Sequence, residues 1–184
     1  MKESVRNRAA AMKKINDLTL RGEIVIFGST YMSFFPLYEF INKCTFENAI
    51  YNRSIEGLTI KEAAQIVDGC VLDIHPNKVF LALGEEDEND PEAITGYTRL
   101  VEKIRSRLPE CTLFLIGLPD GGKYAEDFNR NLLRICDGKT VKPINFIKKN
   151  VSETALYRAR FKQLSCFFRN KPLTMSDAFD LECI

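Results

Sequence analysis

The chain has no tryptophan and one histidine, His75. A single imidazole excludes any metal centre needing two histidine ligands and any proton relay needing a histidine away from position 75. The six cysteines, Cys44, Cys70, Cys111, Cys136, Cys166 and Cys183, include no CxxC pair, which removes the zinc-ribbon and thioredoxin-type readings. They are widely spaced and mostly embedded in apolar segments, as reduced thiols that pack like small hydrophobes would be. No apolar stretch follows the first charges, so no signal peptide is read. These features together predict a cytoplasmic protein. An excess of one charge sign is also lacking: 26 basic against 25 acidic residues leave a net charge of +1. No global field therefore draws the protein to nucleic acid or to an anionic membrane. The longest uncharged stretch, Ile24 to Tyr38, contains Ser29, Ser33 and Pro36 and falls short of the about 20 apolar residues that a membrane span requires. No GxxxxGK[ST] phosphate loop is present, and no cofactor or metal site is expected.

What is present is a globular composition: 184 residues, 45% hydrophobic and 28% charged. The length suits one domain over residues 1–184, with an N-terminal helix within 1–20 and an α/β core over 21–184. In residues 2–19, Ala9, Met12, Ile15 and Leu18 recur near helical spacing. Glu23 to Phe27 is an unbroken apolar run of the buried parallel-strand type. Ser33 before Phe34-Phe35-Pro36-Leu37 predicts a capped helix start, and Asn48 to Asn52 a short strand. Thr59 is placed to cap a helix with Ile60, Ala63, Ala64, Val67, Val71 and Ile74 on its apolar face, ending at Pro76. Lys78 to Leu83 is a third strand. Asp90 and Pro91 open a helix closed by Pro109. Thr112 to Ile116 is a fourth strand, and a helix carrying Phe128, Leu132 and Ile135 stops at Gly138. Val141 to Ile147, interrupted by Pro143, is a weaker fifth strand, followed by helical residues 153–169. Strands alternating with helices predict a three-layer α/β/α sandwich around a five-stranded parallel sheet, of the SGNH-hydrolase or flavodoxin-like kind, with Ile24–Phe27, Val79–Leu83 and Leu113–Ile116 central.

In such a sheet ligands bind at the carboxyl ends of the strands. The loop after the first strand offers Gly28-Ser29-Thr30-Tyr31, and the loop after the second offers Gly57 and its backbone N–H. The loop after the third is unusually acidic: Glu85, Glu86, Asp87, Glu88 and Asp90. That run reads either as a solvated loop whose last acids favour a helix N-terminus or as a site for a cation or amine. His75 precedes the third strand and so falls at the opposite end of the sheet, away from the crevice.

Residues 24–37 resemble the first block of the SGNH/GDSL hydrolases, in particular the platelet-activating-factor acetylhydrolase-like bacterial esterases, where it reads LGDSITEFFPL. Asn52-Arg-Ser-Ile-Glu-Gly57 is similar to their second block, NRGIxG, and Val79 to Asp87 to their third, VFLxIGTND. Ser176-Asp177-Ala-Phe-Asp180 falls where their last block, DGLH, would lie. The resemblance implies a serine nucleophile from block one, oxyanion donors from the block-two glycine and block-three asparagine, and an Asp–His pair from the last block. In this chain the ungapped nucleophile position holds Thr30 with Ser29 before it, and a one-residue slip would make Ser29 the nucleophile. Gly57 matches the glycine, Glu86 replaces the asparagine, Asp177 matches the aspartate, and Asp180 replaces the histidine.

A hydroxyl without an adjacent base is a poor nucleophile, and an unperturbed carboxylate with a pKa of about 4 is a feeble base for it. Removing one oxyanion donor costs about 10²–10³ in rate, and a carboxylate there also repels the developing charge. The leading expectation is an SGNH-hydrolase-like pseudoenzyme that keeps its crevice for a cationic or polyhydroxyl small molecule. The alternative is an active ester or acetyl hydrolase with an atypical catalytic set. A third reading is an interaction protein, such as a homodimer through its helices, with an idle crevice.

Overall fold

The computed structural model describes residues 1–119, 122–146 and 151–170. Five strands, β1 (Ile24–Gly28), β2 (Ile50–Asn52), β3 (Lys78–Ala82), β4 (Thr112–Ile116) and β5 (Val141–Ile144), form a sheet in the order β2-β1-β3-β4-β5. Every neighbouring pair is parallel. The helices are α1 (Glu3–Lys14), α2 (Thr30–Phe34), α3 (Leu37–Ile41), α4 (Ile60–Cys70), α5 (Ala93–Arg107), α6 (Gly122–Ile135) and α7 (Glu153–Phe168).

The apolar runs are continuous because both sheet faces are covered. Val25, Phe27, Val79, Leu81, Leu113 and Leu115 join a core with Met12 of α1, Val67 of α4, Val101 of α5 and Leu132 of α6. The alternating residues Ile24, Ile26, Phe80, Phe114 and Ile116 join a second core with Met32 of α2, Phe40 of α3 and Phe161 and Phe168 of α7. A period of two along each strand thus feeds two helical layers, giving the three-layer α/β/α sandwich with β1, β3 and β4 in its centre. Within the first core, the buried Tyr97 Oη donates to the Leu81 carbonyl at 3.3 Å. No helix among the described residues is long and apolar enough to cross a membrane. Cys70, Cys111, Cys136 and Cys166 are free thiols, and burial pushes Cys70 up to about 11 and Cys111 up to about 12.

Boundaries differ from the expectation where local chemistry competes. The helix after β1 starts at Thr30, not at Ser33, whose Oγ instead donates to the Thr30 carbonyl at 2.8 Å inside α2. Pro36 then splits the segment into two short helices, because the residue before a proline is driven out of the helical region, and Phe35 is extended. α5 begins at Ala93 because the Asp90 carboxylate first accepts from Glu92 N at 2.9 Å in a turn. Pro143 lies in β5, an edge strand, where a missing N–H is tolerated.

Phe80 is fully buried, stacked at 4.6 Å on Phe114 and edge-on at 5.2 Å to Phe168. Phe80→Ala is expected to lower stability by about 3–5 kcal/mol, seen as a shifted urea midpoint at unchanged slope. Phe34→Ala, at a residue 62% exposed, should stay within about 0.5 kcal/mol of wild type.

Candidate functional site

Three loops leave the carboxyl ends of β1, β2 and β3 and meet at one hydroxyl. Ser29 N donates to the Ala82 carbonyl and Ile55 N to the Gly28 carbonyl, which fixes the loops after β1 and β2 against their neighbours. Thr30, the first residue of α2, then presents Oγ1 to both partners. Gly57 N donates to it at 2.8 Å, and it donates to Glu86 Oε1 at 2.6 Å. The structure therefore brings Thr30, Gly57 and Glu86 together. Ser29 does not join them: its hydroxyl is fully buried beside the Glu85 carboxyl and makes no hydrogen bond of good geometry. The hydroxyl at the meeting point of the loops is thus that of Thr30. Asp177 and Asp180 lie outside the described residues.

The acidic loop is held in place by α6. Tyr124 Oη donates to the Gly84 carbonyl at 2.7 Å, and Phe128 packs directly against Gly84. Gly84 has φ +114°, and a Cβ there would fall 2.4 Å from the Phe128 ring, so only glycine fits. The three acids that follow have separate tasks. Glu85 accepts from Tyr31 N at 2.7 Å. Burial pushes its carboxyl above the ordinary range, and the neighbouring Glu86 adds to this against the Tyr31 bond. Glu86 takes the Thr30 proton bond. Asp87 turns inward, 3% exposed, and accepts from Ile60 N at the start of α4 through both oxygens, at 3.1 and 3.2 Å. The same turn carries the cap expected from Thr59, which the structure completes as a capping box with Glu62. Burial pushes Asp87 up to about 6; the Ile60 N–H opposes this, Asp90 and Glu86 add to it, and Lys2 opposes it.

Two contributors were not singled out in the sequence. Lys2 Nζ donates to the Gly57 carbonyl at 2.7 Å while its backbone N donates to Glu62 at 2.6 Å, so the segment before α1 clamps the Gly57 turn. Tyr31, next to Thr30, is backed by α7, where the buried Arg160 lies 5.2 Å above its ring and donates to its hydroxyl at 2.9 Å. Neither contact leaves a local signal, because each partner is more than fifty residues away. His75 is exposed, in a left-handed turn before β3, and its carbonyl accepts from Gly22 N ahead of β1; it belongs to the amino end of the sheet. Among the described residues no group of three or more His, Cys, Asp or Glu converges to hold a metal.

No family model matches the sequence, and no curated protein matches it. Solved structures do resemble it. A protein from Streptococcus pneumonia described as a platelet activating factor superposes with a TM-score of 0.77 at 15% identity, covering 90% of this chain and 93% of that one. A protein from Bacteroides fragilis described as an acylhydrolase gives 0.74 at 10% identity, over 91% and 97%. A lipolytic protein of the G-D-S-L family from Desulfitobacterium hafniense gives 0.63 at 15% identity, over 79% and 98%. The chain has the fold of the SGNH/GDSL hydrolases.

Asp87 sets a pH dependence. An acid whose native pKa lies above its unfolded value of about 3.9 contributes fully at low pH and loses that contribution as pH rises through the two values. Asp87→Asn keeps an acceptor for Ile60 N and removes the charge. Its stability relative to wild type, from urea melts, should rise by about 2–3 kcal/mol between pH about 4 and about 7. A constant difference across that range would mean Asp87 does not titrate there.

Proposed function

We propose that this protein is an SGNH-hydrolase-fold protein that binds a small cationic or polyhydroxyl molecule in its crevice and has lost efficient ester hydrolysis. The observation that carries the reading is the closed set Gly57 N–H, Thr30 hydroxyl and Glu86 carboxylate. An oxyanion hole needs donors aimed at empty space where charge develops. Here the Gly57 N–H is spent on the Thr30 oxygen. The third loop contributes a carboxylate where an amide donor would be needed, and that carboxylate accepts the Thr30 proton.

The missing imidazole points the same way. The only histidine of the sequence is His75, at the far end of the sheet. Residues 147–150, which follow β5, read Ile-Lys-Lys-Asn and supply neither imidazole nor carboxylate. Glu85 and Glu86, together with the Thr30 hydroxyl, offer acceptors and negative charge, which suit an ammonium group or a run of hydroxyls.

One observation favours a second reading. The 2.6 Å contact from the Thr30 hydroxyl to the Glu86 carboxylate is also the geometry of a nucleophile with its base. On that reading the protein is an ester or acetyl hydrolase, with Glu86 accepting the proton as Thr30 Oγ1 attacks an acyl carbon.

Hydrolysis of p-nitrophenyl acetate separates the two. The binding reading expects no turnover above the Thr30→Ala background, and no recovery in Thr30→Ser, because groups acting as a unit are not restored one at a time. Turnover at about 1 s⁻¹ or faster, an ordinary enzyme rate, abolished by Thr30→Ala and by Glu86→Gln, would establish the hydrolase instead.

A further inference from the structure

We propose that the pocket between α1 and the edge strand β2 is a second site, which binds a small organic anion: a carboxylate or phosphate monoester carried on a compact apolar body. The pocket has a volume of about 500 Å³, within the usual range of small-ligand sites of about 300–1,000 Å³. Arg8 of α1, Ile15 and Leu18 of the turn after it, Tyr38 of α3, Tyr51 of β2 and Arg53 just beyond β2 line it. Neither Thr30 nor Glu86 does, so the proposal stands apart from the reading of the crevice.

The wall of this pocket carries an uncompensated charge. Arg53 is 3% exposed. Its Nη1 donates to the Met12 carbonyl at 2.9 Å and to Asn16 Oδ1 at 3.1 Å, both neutral acceptors. Its Nη2 is buried without a hydrogen-bond partner among the described residues, and no carboxylate there pairs with the guanidinium. Arginine is almost never this buried unless paired, and a buried charge left without a partner is costly. A second cation makes matters worse: Arg8, exposed and lining the same pocket, repels it.

An anion in the pocket would face both guanidiniums. It would act on Arg53 through a low-dielectric wall, where charge is weakly screened, and on Arg8 directly through its planar fork of donors. Apolar surface at the same place gives the rest of the ligand its character. Ile15 is 48% exposed, Leu18 83% and Tyr38 51%, and all three border the pocket. A bare inorganic ion would leave that surface wet, whereas an aromatic or short aliphatic body would cover it.

The test uses the full chain with benzoate and phenyl phosphate as probes, and benzylamine and benzyl alcohol as controls, at matched ionic strength with chloride. Melting temperature and isothermal titration calorimetry are the readouts. One or both anions should raise the melting temperature by about 5 °C at a hundredfold excess over Kd, and whichever does so identifies the anionic group. The amine, the alcohol and chloride should not. Arg53→Met, which replaces the buried charge by a side chain of similar length and so favours folding, should abolish the response. Arg8→Ala, at an exposed residue, should weaken binding about tenfold, the cost of losing one charged hydrogen bond; it decides the matter if Arg53→Met does not fold. Thr30→Ala should bind the anion like wild type. No response to either anion, an equal response to benzylamine or chloride, or an unchanged response in both arginine variants overturns the proposal. Loss of binding in Thr30→Ala also overturns it, because the anion would then sit in the crevice.

Discussion

The close approach of β1 and β3 at Gly28 is the constraint on which the site depends. A Cβ at Gly28 would lie 2.8 Å from the Ala82 carbonyl oxygen and 3.0 Å from both the Ala82 and Met32 Cβ atoms. Backbone cannot yield as a side-chain tip can, so the two strands leave the sheet side by side only with glycine in that place. From there the chain has two residues to reach Thr30 and four to reach Glu86. Hydroxyl and carboxylate meet because the strands that carry them are in contact where they end.

The site concentrates negative charge in an almost neutral molecule. Consecutive acids in one loop would repel one another if they shared an environment. Instead Glu85 turns to a backbone N–H of α2, Glu86 to a hydroxyl and Asp87 to the first N–H of α4. Each carboxylate has its own donor, two of them in α2 and one in α4, so the loop stitches α2 and α4 to β3. Lys2 brings a positive charge near this cluster from the start of the sequence.

Much of the architecture was legible because it rests on local patterns. The buried runs of β1, β3 and β4 admitted one kind of sheet, and Thr59 announced the start of α4. The meeting of Thr30, Gly57 and Glu86 was legible through block spacing rather than through any physical pattern within the loops, which alone looked like ordinary turns. The start of α2 was misjudged at Ser33, since a serine before an apolar run looks like a cap, while the turn out of β1 had already begun the helix at Thr30. Lys2, Arg53 and Arg160 gave no warning. A lone basic residue looks solvated, and only the tertiary fold reveals that it is buried or reaches across to a distant carbonyl or ring.

The phenol of Tyr97 is fully buried with its proton committed to the Leu81 carbonyl of a central strand. A phenolate there would point its charge at that carbonyl oxygen, so burial raises the native pKa far above the ordinary value of about 10. In the unfolded chain the same phenol ionises normally. Strong base therefore draws the equilibrium toward the open chain through this one ring, and the ultraviolet band of tyrosinate, in a protein with no tryptophan to mask it, gives an optical record of the sheet coming apart.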